Sequence, residues 1–183
     1  TAQDHKRVGE GDKGKNTGGM GAYSPSRLFS EELEKKILNK IIKPTLQGLS
    51  DLNTNYKGFL YAGLMIVNNE PFLIEYNVRM GDPECQTLLP RLNSDFLDIL
   101  ISCVKGNLNE MDIKWTNKQS LCVVLCSKGY PDDYTKNIKI DNLDKLKLDK
   151  DNYLFHAGTK IKDKEIFSVG GRVLNFISLS NEL

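Results

Sequence analysis

The sequence predicts an α+β fold in which a body of mixed or antiparallel sheet with helices precedes a small β-rich domain. Residues 30–42 place apolar side chains at helical spacing, and residues 58–78 contain two strand-like runs joined by a short polar turn. After Gly106, strand-like runs alternate with connections rich in Lys and Asp. We therefore expect one domain over residues 1–104 and a second over residues 105–183.

The first part of the chain is expected to contain a strand, a loop and a helix in that order. Residues 2–8 are strand-like, whereas residues 9–27 are polar and glycine-rich and lack an amphipathic period, which predicts a long loop. Ser30 is a predicted helix N-cap because two glutamates follow it in the first turn. Pro44 is expected to break or reset that helix.

Two strands and two helices are predicted next, followed by four strands in the second domain. In chain order they are strands 58–67 and 71–78, helices from Glu84 and over 95–104, and strands 120–127, 153–156, 166–169 and 172–176. The link Asn68-Asn69-Glu70 between the first two strands suits a tight turn.

The charge balance argues against a nucleic acid or an anionic membrane as the main partner. Twenty-five Lys and Arg residues face 24 Asp and Glu residues, which leaves a formal net charge of +1. No apolar run approaches the roughly 20 residues that span a bilayer. The four cysteines lack C-x-x-C spacing, and Cys122 and Cys126 share one face of a predicted strand. We expect reduced, buried thiols in a cytoplasmic protein.

The most informative segment is IEYNVRMGDPE, residues 74–84. Alternation along a strand would place Glu75, Asn77 and Arg79 on one face. Carboxylate and amide oxygens suit Mg²⁺, which takes its other ligands from water and phosphate. A guanidinium can bind a phosphate or a carboxylate with two parallel hydrogen bonds. The alternative is the solvated face of a half-buried strand, which spacing alone does not exclude.

A second candidate is the glycine-rich segment NTGGMGAYSP, residues 16–25. Glycines permit positive φ and let backbone N–H groups approach an anion. The segment matches neither the P-loop nor the dinucleotide fingerprint, so a plain flexible turn is an alternative. Asp4 and Lys6 share one face of the first predicted strand, where a charged strand edge is the simpler interpretation. No Ser–His–Asp order or H-E-x-x-H pair indicates a covalent nucleophile or a zinc site.

Seven segments that occur in one order carry a family resemblance. They are QDHKR, GDKGKNTGGMGAYSP, GFLYAGLM, IEYNVRMGDPECQTLLPRL, SKGYP, FHAGT and GGRVLNF. Together they closely resemble the phosphoribosylamine–glycine ligase family of the ATP-grasp superfamily, over essentially the whole chain. Tyr76 and Met80 stand where that family leads us to expect Phe, and Lys15 where we expect Pro. The first two departures are conservative and leave the proposed ligands in place, and Lys15 makes its loop less rigid.

The resemblance implies the carboxy-terminal body of an ATP-grasp domain and an ATP-dependent carbon–nitrogen ligase of de novo purine synthesis. Such a ligase joins glycine to 5-phosphoribosylamine. The glycine carboxylate takes the γ-phosphoryl group of ATP, and the amine then attacks the resulting glycyl phosphate. ATP and either Mg²⁺ or Mn²⁺ are the implied cofactors. This chemistry needs positioning and charge neutralisation rather than a protein nucleophile.

The same resemblance assigns roles by motif position. Glu75 and Asn77 match the metal ligands, and Arg79 would stabilise phosphate charge. Asp82 and Glu84, in the following loop, are placed to orient glycine or the amine. The residues implied on the substrate-binding side are Asp4, Lys6, Gly18, Gly19, Met20 and Gly21.

The resemblance also implies that the amino-terminal part of the enzyme precedes Thr1 and that a closing helix and strand follow Leu183. Thr1 does not look like a natural start, so we expect both ends to be truncations. The isolated chain should then bind nucleotide poorly and turn over little or nothing. The alternatives are another ATP-grasp carboxylate–amine ligase with the same metal strand, and a non-catalytic fragment of such an enzyme.

Overall fold

The chain begins with a hairpin of two strands, β1 (Gln3–Gly9) and β2 (Lys13–Ser24). The computed structural model describes residues 1–182. The other strands are β3 (Tyr61–Val67), β4 (Glu70–Asn77), β5 (Gln119–Cys126), β6 (Ile138–Lys139), β7 (Asn152–His156), β8 (Thr159–Lys162), β9 (Glu165–Ser168) and β10 (Arg172–Ser180). The helices are α1 (Glu31–Ile37), α2 (Lys43–Asp51), α3 (Glu84–Leu88) and α4 (Phe96–Lys105), with a π-helical segment, Leu38–Ile42, joining α1 to α2. The predicted α+β class is confirmed.

The chain folds into two compact units, and each is assembled from separate stretches of sequence. The first unit contains Thr1–Pro25, Asp82–Arg91 and the stretch from Thr116 onward, and the second contains Ser26–Gly81 and Leu92–Trp115. The sequence suggested one boundary, after residue 104, and that division into domains stays a prediction.

A five-stranded antiparallel sheet, in the order β1-β2-β5-β10-β7, forms the centre of the first unit. Strand β5 alternates strictly, so Cys122 and Val124 are buried and pack with Ile177 of β10. Cys126 lies on the same face and packs against this cluster, as its even spacing predicts. Burial raises the pKa of the Cys122 thiol to about 11, which keeps it protonated. All four cysteines are free.

The predicted loop over residues 9–27 is wrong, because most of that stretch is strand β2. Both ends of β2 pair with β1, and Gly21–Ser24 also pair with β5, about a hundred residues further along the chain. Glycine-rich composition and missing amphipathicity indicate a loop only when no neighbouring strand is available, and here β5 provides one.

The β3–β4 hairpin of the second unit forms as predicted. Asn68 and Asn69 occupy its turn with φ of 50° and 61°, a left-handed conformation that Asn tolerates better than most residues. The N-cap prediction is also confirmed, because the Ser30 side chain accepts a hydrogen bond from Leu33 N at 3.2 Å. Pro44 lies at the start of α2 and resets the helix without ending it.

Short strands account for the remaining differences in the first unit. A three-stranded sheet has the order β6-β9-β8, and only β9 was predicted from the sequence. Strands β6 and β8 contain one isoleucine each and span two and four residues, too few to show a period of two. Within residues 1–182, no helix combines the length and apolarity that a membrane crossing requires.

Candidate functional site

The glycines at the middle of β2 lie in an irregular part of the β1–β2 hairpin. The register passes from His5↔Gly21 to Arg7↔Asn16, so residues 17–20 of β2 lie opposite Lys6 alone. The Thr17 hydroxyl donates to Lys6 O at 2.9 Å and bridges the gap. We call residues 17–20 the glycine bulge; it contains the predicted site residues Gly18, Gly19 and Met20.

The two central amides of the glycine bulge are already hydrogen-bonded within the protein. Gly18 N donates to the Tyr130 hydroxyl at 3.0 Å, and Gly19 N donates to Thr17 Oγ1 at 3.0 Å. An anion would have to displace these acceptors to reach either N–H group. The geometry therefore argues against capture of an anion by free amides at Gly18 and Gly19.

Gly19 is required by close packing as well as by its backbone conformation. Its φ is +124°, and a Cβ built on it would lie 2.5 Å from Pro83 Cδ and 3.1 Å from Asp4 Oδ1. Pro83 and the carboxylate of Asp4 thus press directly on the glycine bulge. A side chain at this position would force the strand and the loop apart.

Asp4 is the most buried of the predicted acidic candidates after Glu84. Its side chain is 12% exposed, its Oδ2 lies 3.6 Å from Lys6 Nζ, and its Oδ1 is buried without a hydrogen-bond partner among the described residues. Burial, reinforced by the charge of Glu84, raises the pKa of Asp4 to about 6 despite the opposing charge of Lys6. Asp4 is therefore a carboxyl group poised to change charge near neutral pH.

Both carboxylate oxygens of Asp82 are held by hydrogen bonds. Its Oδ1 accepts from Gln86 Nε2 at 2.8 Å, and its Oδ2 accepts from Arg172 NH2 at 3.1 Å. Arg172 NH1 also donates to Asp82 O at 2.7 Å and to Gly18 O at 3.0 Å. Asp4, Gly18, Gly19, Asp82 and Arg172 thus form one connected group, which we call the Asp82 cluster.

Glu84 is the first residue of α3, next to the Asp82 cluster. Its side chain is almost fully buried, with 4% of the residue exposed. A carboxylate in the first turn of a helix is favoured by the helix dipole. Its charge contributes to the raised pKa of Asp4, which couples these two predicted site residues.

The predicted metal ligands belong to the second unit and lie on β4. Glu75 and Asn77 are two residues apart and share one face, as alternation predicts, and Asn77 Nδ2 donates to Glu75 Oε1 at 3.1 Å. Gly63 of β3 is paired with Glu75, and a Cβ there would lie 3.2 Å from Glu75 Cγ. The missing side chain at Gly63 leaves room beside the Glu75 carboxylate.

These residues fit a hard divalent cation. The amide oxygen of Asn77 and the second carboxylate oxygen of Glu75 remain for a metal after their mutual hydrogen bond. The described residues contain no group of three or more His, Cys, Asp or Glu that could hold a metal alone. Water and phosphate oxygens would complete the coordination, which is the usual arrangement for Mg²⁺.

Arg79 is not placed by the same alternation, because β4 ends at Asn77. It lies in the bend that follows, exposed, with NH1 donating to Met80 O at 2.9 Å. Its guanidinium therefore keeps most of its donors for a ligand.

Three residues that orient the Asp82 cluster were not among the predicted site residues: Arg172, Tyr130 and Gln86. Each lies within a segment that carried the family resemblance, namely GGRVLNF, SKGYP and the stretch after Asp82. Only membership of those segments could have drawn attention to them. Neither spacing nor residue type indicates that Arg172 contacts Gly18, 154 residues away.

Two family models match the chain in order. One is described as "Phosphoribosylglycinamide synthetase, ATP-grasp (A) domain" and matches residues 1–85, and the other as "Phosphoribosylglycinamide synthetase, C domain" and matches residues 120–183. The chain belongs to the phosphoribosylamine–glycine ligase family. The resemblance found in the sequence is thereby confirmed.

Relatives within the family are similar along the whole chain. The phosphoribosylamine–glycine ligase of Brucella melitensis is 47% identical over 96% of this chain, and that of Vigna unguiculata is 46% identical over 100%. The crystal structure of phosphoribosylamine–glycine ligase from Thermotoga maritima matches with a TM-score of 0.82 and 34% identity, over 98% of this chain. The chain spans 41%, 60% and 44% of the lengths of these three relatives.

Proposed function

We propose that the protein to which this chain belongs ligates glycine to 5-phosphoribosylamine and consumes ATP to form glycinamide ribonucleotide, ADP and phosphate. One observation carries the proposal: the two family models match in order and together account for most of the chain. The relatives of Brucella melitensis and Vigna unguiculata bear the name of this reaction. The four free cysteines support a reducing compartment, and we propose the cytoplasm.

On β4, Glu75 and Asn77 would hold Mg²⁺ or Mn²⁺ through their side-chain oxygens. The ion, when bound, would neutralise charge on the phosphates of ATP. Arg79, exposed just beyond the strand, would donate to a phosphoryl oxygen with the fork that suits such anions. In this proposal none of these residues forms a covalent bond to a substrate, which agrees with chemistry driven by positioning.

In the first unit, Asp82 and Glu84 would orient glycine or the attacking amine. Asp4, Lys6 and the segment Gly18–Gly21 would face phosphoribosylamine.

In the proposed reaction, a carboxylate oxygen of glycine attacks the γ-phosphorus and ADP leaves. The amine nitrogen of phosphoribosylamine then attacks the glycyl carbon, phosphate leaves, and the new amide nitrogen loses a proton. Fixed carboxylates can hold the amines in line for this attack because their own orientation is constrained.

Substrate discrimination tests the proposal against other ATP-grasp ligases. The protein should be prepared at the full length of its relatives, with this chain in place, and ADP release should be followed in a coupled assay. We expect release to require glycine and phosphoribosylamine together, and bicarbonate with an aminoimidazole ribonucleotide to be inactive. Activity with the second pair alone would assign the chain to a carboxylase-type ligase.

The 183-residue chain in isolation serves as the companion sample. Because it spans 41% of the Brucella melitensis relative, we expect little or no glycine-dependent ADP release from it. Robust turnover by the isolated chain would contradict this expectation, whereas an inactive full-length protein would favour a non-catalytic role.

A further inference from the structure

Arg172 joins the glycine bulge to Asp82 through side-chain hydrogen bonds. It begins β10, its side chain is 22% exposed, and it donates hydrogen bonds to Gly18 O, Asp82 O and Asp82 Oδ2. Two of these acceptors are backbone carbonyls and the third is a carboxylate. A guanidinium can serve all three because its donors are held in a rigid plane.

The contact with Gly18 depends on the absence of a side chain there. A Cβ built on Gly18 would lie 3.0 Å from Arg172 Cζ and NH2. The Gly18 N–H is held in turn by the Tyr130 hydroxyl, and the Tyr130 ring packs on Gly171, the neighbour of Arg172. Both peptide groups of Gly18 are therefore fixed by side chains from the carboxy-terminal part of the chain.

The effect at Asp82 is to fix the orientation of a carboxylate that still faces solvent. The Asp82 side chain is 45% exposed, although each of its oxygens accepts one hydrogen bond. Each oxygen retains a further lone pair for a ligand. An exposed Asp without such partners would rotate freely about χ2. Here the carboxylate is held in a single orientation.

We propose that Arg172 is a positioning residue: its guanidinium holds the Asp82 carboxylate against the glycine bulge in the orientation that ligation requires. The inference rests on the proposed function, in which Asp82 orients glycine or the amine. Lys could replace the charge of Arg172 but not its planar set of donors. The arrangement should therefore be sensitive to the shape of this side chain.

The test is a double-mutant cycle in the full-length protein, with kcat, KM for glycine and the thermal midpoint measured for each variant. Arg172→Lys should lower kcat about tenfold or more, since small misplacements of a positioning group are costly. Asp82→Asn should also lower kcat. The double variant should be no slower than Asp82→Asn alone, because both changes disable one arrangement.

Arg91→Lys is the matched control. Arg91 also makes three hydrogen bonds within this unit, to Ser24 Oγ and to two backbone carbonyls, but it holds the carboxy-terminal end of β2, away from the glycine bulge. Its substitution should move the thermal midpoint about as much as Arg172→Lys while leaving kcat near the original value. Combined with Asp82→Asn, it should lower kcat by the product of the separate effects.

Gln86→Met is a second variant that tests whether the fixed orientation of Asp82 is needed for activity, and it avoids the risk that Arg172→Lys misfolds. Gln86 donates to Asp82 Oδ1, and its own Oε1 is buried without a partner among the described residues. Met has a similar shape and removes that unsatisfied oxygen, so the variant should fold at least as stably. We expect kcat to fall, and not to fall further when Asp82 is also changed.

Multiplicative losses in the cycles of Asp82 with Arg172 and with Gln86 would overturn the inference, as would an unchanged kcat in Arg172→Lys. If the original full-length protein shows no glycine-dependent ADP release, the proposed function and this inference both fall. If the original protein is active and Arg172→Lys is equally active, only the inference falls.

Discussion

The Asp82 cluster and the β4 ligands reach their positions in different ways. In the Asp82 cluster, contacts join residues that are 90 and 154 positions apart, and Asp4 is largely buried. On β4 and in the bend after it, the hydrogen bonds of Glu75 and Arg79 reach only two residues and one residue along the chain. The Asp82 cluster is fixed by packing before any substrate arrives. Glu75 and Arg79 instead keep exposed oxygens and donors, and the ligands that they are proposed to bind would fix the orientation of these side chains.

The largest effect is expected where the packing of the Asp82 cluster is broken. Gly19→Ala combines a left-handed φ of 124° with a Cβ 2.5 Å from Pro83 Cδ. We expect the free energy of unfolding to fall by about 3 kcal/mol, from backbone strain and overpacking. Urea denaturation of the chain measures this.

Gly48→Ala is the matched control for this change. Gly48 lies in α2 with nothing within 4 Å of an added Cβ, so we expect a gain of about 0.5–1 kcal/mol from helix propensity. Equal stability of the two alanine variants would show that the glycine bulge is not tightly packed.

The second largest effect is expected at the exposed residues of β4. It should change metal binding and leave the stability of the fold unchanged. Glu75→Gln removes the only carboxylate of the proposed metal site. We expect Mn²⁺ affinity of the full-length protein with ADP to fall on the order of a hundredfold. Because Glu75 is exposed, the metal-free thermal midpoint should not move. Electron paramagnetic resonance of free Mn²⁺ gives the affinity.

Glu70→Gln, at the other end of β4, separates a charge effect from ligation. Glu70 forms ion pairs with Lys36 and Lys40, both at 2.7 Å, and hydrogen bonds from these lysines lower its pKa to about 2. We expect its substitution to leave Mn²⁺ affinity unchanged. A comparable loss in both variants would contradict the assignment of Glu75 as a ligand.

The smallest effect is a pH dependence that arises at Asp4. Its raised pKa means that the folded state holds the proton more tightly than the unfolded chain. The stability that this proton contributes is therefore lost as pH rises from about 4 to about 6. Asp4→Asn should make the chain more stable at pH 7 by about 1–2 kcal/mol, and the gain should vanish below pH 4. Thermal or urea unfolding across this range measures it.

Asp149→Asn is the control, because its substitution should change the stability at pH 7 in the opposite direction. Hydrogen bonds from the Asp151 backbone and the Asn152 side chain lower the pKa of Asp149, so its charge stabilises the fold above its ordinary pKa. Substitution should make the chain less stable at pH 7. A gain at Asp4 that is the same at pH 4 and pH 7 would exclude burial of its charge as the cause.

Features that depend on neighbouring residues were predictable from the sequence. The β3–β4 hairpin, the Ser30 cap and the shared face of Glu75 and Asn77 follow from turn chemistry, capping and alternation, which are properties of a few consecutive residues. The seven segments also identified the family, because long motifs in a fixed order can be matched to a family without knowledge of the fold.

The tertiary structure alone decided that the glycine-rich stretch is a strand and that Arg172 holds Asp82. Strand β2 forms because β1 and β5 pair with it, and pairing with a segment as distant as β5 leaves no period in the sequence. The guanidinium of Arg172 reaches Gly18 of β2, and with it Asp82, because β10 lies two strands from β2 in the same sheet. The sequence by itself determined which local chemistry the chain carries. Long-range pairing determined which of those groups are held together, since backbone hydrogen bonding between strands depends on the whole fold.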